Sequence, residues 1–136
     1  MIFLFDENIS PRAAHMLTCF DEKHELRAFE DYFMRGTRDV EWLRVAGEWD
    51  EASVAVVAGD GRILRNKVER QALKECRLTF VYLAPAWMHL CWHEFAWKIV
   101  RVWPDVVRNV EQAPHPLLFE VSPGGKLRTL GRISNL

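Results

Sequence analysis

The chain is 136 residues long, 49% apolar and 27% charged, one domain's worth of sequence that excludes disordered and low-complexity classes. Eighteen basic residues face nineteen acidic ones for a net charge of −1, so whole-molecule charge does not drive it onto nucleic acid or membrane. Uncharged runs fall far short of the ~18 residues of a membrane span, and the start MIFLFDENIS reaches Asp6 without a basic n-region, so no anchor or signal peptide is expected, and a cytoplasmic location is.

The first element is Ile2-Phe3-Leu4-Phe5, a bulky apolar run that reads as a strand covered on both faces. It ends at Asp6-Glu7-Asn8, and Ser10-Pro11 then supplies an N-cap followed by proline at the first helical position. That helix should reach about Phe20, with Ala14, Leu17 and Thr18 turned inward. His24 to Phe29 is shorter and half-alternating, more like an edge strand. Met34-Arg35-Gly36-Thr37 is turn chemistry, and Thr37 is placed to cap a helix in which Trp42, Val45, Ala46 and Trp49 form a stripe ending near Asp50.

Ser53 to Ala58 reads as a second buried strand, stopping at Gly59-Asp60-Gly61. Leu64, Val68, Ala72 and Cys76 then repeat every four residues along a third helix. Leu78 to Leu83 is a strand closed by Ala84-Pro85. Strands alternating with helices of this length require βαβ crossovers, and so an α/β fold with a central parallel sheet between helical layers. Residues 1–85 form this α/β domain, and residues 86–136 form an extension packed on it.

The extension opens with a tryptophan-rich helix from Trp87 to about Gln112. Trp92, Ala96, Ile99, Trp103, Val106 and Val110 lie near one stripe, and Trp87, Phe95, Trp97 and Val100 lie off it. Pro104 is expected to kink the helix or start a second one. Leu117 to Val121 and Lys126 to Leu130 flank Pro123-Gly124-Gly125 as a β-hairpin, with Lys126, Arg128 and Arg132 making the end basic. This is more than a four-stranded sheet needs, and a partner (a second copy or another protein) is expected at Trp87 to Val110.

The chemistry is expected where strands end in acids. Parallel strands share a direction, so Asp6 and Asp60 emerge at the edge where ligands bind in open α/β sheets. Asp39 starts the next helix at that same edge, with Glu7 and Glu41 as supporting acids. Such a cluster is costly unless a hard cation neutralises it, and Mg²⁺ or Mn²⁺ prefers carboxylate and water oxygens. An ion so held suits phosphodiester hydrolysis. Arg62 is placed to contact a substrate phosphate, with Asn8, Arg12 and Arg38 as further substrate contacts.

These segments resemble a known family. Ile2 to Pro11 is similar to the hydrophobic strand and D-E-N-(L/I)-x-P start of the PIN-like nucleases. Gly36-Thr37-Arg38-Asp39-Val40-Glu41-Trp42-Leu43 resembles their G-x-x-D-x-E-(I/L)-L helix start, and Val56-Val57-Ala58-Gly59-Asp60 their V-(V/L)-T-x-D segment. The likeness spans about residues 1–85. The stretch from Phe95 to Val121 resembles the extension of toxins related to the VapC type. The resemblance implies a PIN-like three-layer fold, a metal-dependent ribonuclease using Asp6, Asp39 and Asp60, an RNA substrate, and an antitoxin as partner. Two departures stand out: Arg62-Ile63 replaces a second acid and aromatic, and Ala58-Gly59 replaces the hydroxyl residue before Asp60.

Other chemistries have weaker support. His89 and His93 are four apart as zinc ligands can be, but H-E-x-x-H is absent. Cys19, Cys76 and Cys91 show no C-x-x-C spacing; Cys19 and Cys76 fall on apparent core faces, and buried thiols are inert. No glycine-rich nucleotide loop occurs. A phosphoacceptor receiver domain would need a lysine after the strand that here ends Tyr82-Leu83-Ala84-Pro85. A PIN-like scaffold that binds RNA or a partner without cutting remains the main alternative.

Overall fold

Apolar strands too short and too bulky to be anything but covered sheet set the architecture. The computed structural model describes residues 1–49 and 53–136. Strands β1 (Ile2–Phe5), β2 (Glu25–Ala28), β3 (Val54–Ala58), β4 (Thr79–Leu83), β5 (Leu117–Val121) and β6 (Leu127–Arg132) form one sheet in the order β2-β1-β3-β4-β5-β6. All neighbours are parallel except β5 and β6, which pair as an antiparallel hairpin. The chain reverses its direction of travel between β1 and β3, the switch point at which such sheets open a crevice.

Alternation along the strands splits the core into two layers. Phe3, Phe5, Ala55, Val57, Val81 and Leu83 face α1 (Pro11–Thr18) and α5 (Trp92–Gln112). Ile2, Leu4, Val54, Val56, Ala58 and Phe80 face the opposite layer, built from α2 (Asp39–Gly47), α3 (Arg62–Arg65) and α4 (Lys67–Cys76). Trp103 of α5 packs edge-on to Phe3 at 4.9 Å and lies 5.5 Å from Phe5. Its indole N–H donates to Asp21 Oδ2 at 3.1 Å. Asp21 also accepts from the His24 ring, whose other nitrogen meets Glu111 near the end of α5. Burial alone would raise the Asp21 pKa, but the bonds from His24, Trp103 and two backbone amides outweigh it and hold the carboxyl below its usual range.

Several local expectations are corrected. Helix α1 stops at Thr18, which is exposed and bonds back to Ala14; Ala13 takes its place on the buried face. Cys19 then falls at the C-cap and is exposed, as is Cys91, while Cys76 is half-buried. Thr37 does not cap α2: its hydroxyl bonds Met34 O at 2.5 Å, and Arg38 is the N-cap. The α2 stripe is rotated, with Leu43 buried where Val45 was expected, and Val45 is 46% exposed. That helix ends at Gly47, where an added Cβ would collide with Cys76, and the expected end at Asp50 lies outside the described residues.

The third helix is two. Asn66 interrupts it and caps α4 by accepting from the Val68 and Glu69 amides, which leaves Val68 exposed. Residues Pro85–His89 form a 3-10 turn, so His89 is not on the helix with His93. Helix α5 runs unbroken through Pro104 and buries Phe95, not Trp92. The expected hairpin joins the sheet itself, with β5 pairing in parallel with β4. No helix among the described residues is long and apolar enough to cross a membrane.

Candidate active site

Strands β1 and β3 are neighbours with Phe5 opposite Val57, and the Asp6 N–H donates to Val57 O at 2.9 Å. Asp6 and the Gly59-Asp60 turn therefore leave the sheet side by side. The Asp6 side chain is buried, at 4% exposure. It accepts hydrogen bonds from the backbone N–H groups of Asn8 and Gly59. Burial pushes its pKa up to about 7, those two amides oppose the rise, and the charges of Asp60 and Asp39 add to it. A carboxyl buried among other carboxylates is a large cost to leave uncompensated.

The other predicted residues divide sharply. Asp60 is half-buried; its Oδ1 accepts the Arg62 N–H at 2.9 Å, and its Oδ2 pairs with the Arg62 side chain at 2.5 Å and meets Asn8 Nδ2 at 3.4 Å. Asp39 opens α2 and accepts from the Trp42 indole at 2.9 Å, which fixes it on a buried ring. Glu7 accepts from the Gly36 N–H at 2.8 Å, clamping a turn whose φ of +82° favours glycine. Glu41 is exposed and turned to Arg38, 2.8 Å away. Arg12 pairs with no carboxylate among the described residues; its guanidinium lies over Trp92, 4.2 Å from the ring centre.

Glu69 is an acid the sequence reading missed. It stands three residues after the Asn66 cap, where a glutamate ordinarily returns a bond to the cap's own N–H. Here that N–H goes to Arg62 O, and the Glu69 carboxyl faces Asp39 instead. Partial burial and the neighbouring Asp39 raise its pKa. Glu7, Asp39 and Glu69 share an open cleft of about 550 Å³. The signal that could have found it was the position itself: an Asn-x-x-Glu helix start a short way along the chain from Asp60.

Gly59, next to Asp60, is in close contact with the 3-10 turn. A Cβ there would overlap the sulfur of Met88, which the 3-10 turn lays on the backbone behind Asp60. A side chain at Gly59 would have to push the flexible Met88 thioether aside.

Among the described residues, the set of three ligand-type groups lying within 4.8 Å of one another is Cys91, His93 and Glu94, all exposed. The aspartates are more open than that, with Asp60 drawn to Arg62. Their chemistry nonetheless fits a hard divalent ion: oxygen-only donors around a buried carboxyl whose protein partners are backbone amides. A family model described as a PIN like domain matches residues 1–85. No curated protein and no solved structure gives a significant match.

Proposed function

The chain belongs to the PIN-like domain family, whose members are generally nucleases, and from that premise we propose that it is a metal-dependent ribonuclease. The observation that carries the reading is Asp6: a buried carboxyl at the end of a central strand, pushed up to about 7 by burial, with Asp60 and Asp39 raising it further. Asp6, Asp39 and Asp60 would hold Mg²⁺ or Mn²⁺, with Glu69 completing the acidic wall. When bound, such an ion supplies Lewis acidity at the phosphate and a more acidic water.

The chain's own groups do the rest. The Asn8 amide steadies Asp60, and the Trp42 indole steadies Asp39. The Asn8 and Gly59 amides fix the Asp6 carboxylate. Arg12, stacked on Trp92 and with its Nε bonded to Ser10 Oγ at 3.2 Å, is a fixed cation for a substrate phosphate. Asp60→Asn keeps the Oδ1 acceptor and removes the charge. RNA cleavage with Mn²⁺ should fall at least a hundredfold in that variant, while its circular dichroism stays unchanged. Equal cleavage by the unmodified protein in excess chelator would sink the reading.

The Arg62–Asp60 ion pair favours a second reading, a PIN-like scaffold that binds RNA without cutting it. RNA binding with no cut under any divalent ion would select it. Following the resemblance of Phe95 to Val121, the same proposal makes the protein the toxin of a toxin–antitoxin pair. Its partner, an antitoxin or a second copy, would meet the exposed Trp97 on α5. Growth arrest on induction, relieved by a co-expressed binding protein, tests that half.

A further inference from the structure

A second concavity opens beside the carboxylates, on the α1–α5 side of the sheet edge. Its walls are Trp87, Met88, Leu90, Trp92 and Phe95, contributed by the 3-10 turn and the start of α5. Its rim carries Asn8, Ser10 and Arg12. The cavity measures about 210 Å³, below the ~300–1,000 Å³ of sites that enclose a whole small ligand. It is sized for a fragment.

Two residues tie it to the acidic site. Asn8 stands on the rim and donates from Nδ2 to Asp60 at 3.4 Å. Met88 forms a wall and rests on Gly59, the residue before Asp60. Trp87 and Phe95 meet edge to face at 5.7 Å, and Trp92 and Phe95 stack at 6.0 Å, so the walls are rigid flat rings. The Trp87 N–H is already taken by Ser122 O, and on the rim Asn8 Nδ2 and the Ser10 Oγ acceptor are engaged with Asp60 and Arg12, which leaves Asn8 Oδ1 and the Ser10 O–H for a ligand. Arg12 adds one fixed positive charge at the mouth, with no carboxylate opposing it among the described residues.

Flat apolar walls, an amide and a hydroxyl at the edge, and one cation within a nucleotide's reach of the acids describe a particular guest. We propose that this cavity receives one nucleobase of single-stranded RNA, flanking the scissile phosphate, with Arg12 on the phosphate between them. The inference rests on the ribonuclease reading and adds to it a base-dependent step in substrate choice. A paired base cannot enter, because its edge and both faces are occupied in a duplex.

Binding of fluorescein-labelled RNA decamers to the full-length chain, followed by anisotropy with Ca²⁺ as the sole divalent ion, tests it. Oligo-A, oligo-C and oligo-U are compared with an abasic decamer of equal charge. At least one base-bearing strand should bind about tenfold or more tightly than the abasic strand, the scale of a single stacked base. Trp92→Leu should erase that excess of base-bearing over abasic strands. An abasic strand that binds as well as every other, no binding by any strand, or an excess that survives Trp92→Leu would overturn the pocket. The comparison within the unmodified protein decides the matter even if Trp92→Leu does not fold. Cleavage of the same decamers with Mn²⁺ is scored separately: base-dependent binding without cutting removes the nuclease reading alone, and cutting without base dependence removes the pocket alone.

Discussion

Asp6 concentrates the energetics of the site in one side chain. A carboxyl that titrates near 7 in the fold and near 3.9 in the unfolded chain binds more protons when folded. Stability is therefore full below about pH 4 and falls as the pH rises toward 7, by at most ~1.4 kcal/mol per pH unit. At pH 8 with chelator, Asp6→Asn should melt higher than the unmodified protein, because a neutral amide replaces a buried charge. Mn²⁺ should raise the melting point of the unmodified protein, by about 2.7 kcal/mol of stability at a hundredfold excess over Kd, and should barely move the variant. Parallel thermal melts check both signs. Asp6 and Asp60 were legible in the sequence because each ends an unmistakable apolar strand. Glu69 was not, because a glutamate after an asparagine cap has an ordinary local use, and nothing in the sequence says that Arg62 O has already taken the bond it would make.

Elements were legible where one constraint dominated and misread where two competed. Strands β1, β3 and β4 are buried on both faces, so an unbroken apolar run identifies them without ambiguity. The helices bury one stripe, and the choice among adjacent stripes depends on what they meet. Leu43 displaced Val45 from the core of α2, and in α4 Leu73 joins the expected Ala72 in place of Val68. The 3-10 turn was the harder case, since Trp87 reads as the start of a helix yet belongs to the turn whose Met88 closes on Gly59. Gly59→Ser, which forces Met88 to move, should therefore destabilise the protein by about 1 kcal/mol through overpacking. Met88→Ala should recover much of that loss in the double variant, and denaturant melts of all four combinations measure the coupling.

The whole molecule is held across the limit of the family match at residue 85. Trp103 covers Phe3 and Phe5, and β5 shields the flank of β4. A chain ended after Pro85 should be recovered as aggregate, while the full chain stays in solution; a dispersed amide spectrum from the short chain would refute this. The Asp21, His24, Trp103 and Glu111 cluster ties the turn before β2 to both halves of α5. Because the Asp21 pKa is depressed in the fold, its contribution is present above about pH 4 and lost as the pH falls through the folded value. Asp21→Asn should flatten the acid limb of a stability profile, with little change in shape above pH 6. The hairpin that completes the sheet carries one more implication. At one rim β2 is four residues long, with Arg27 covering Tyr32 and Trp49. At the other, β6 presents Arg128 and Arg132 beside Gly131, opposite an irregularity at Leu118/Phe119. Short, charged and kinked borders resist strand-by-strand extension, so both rims of the sheet are poor templates for edge-to-edge pairing with a neighbouring copy.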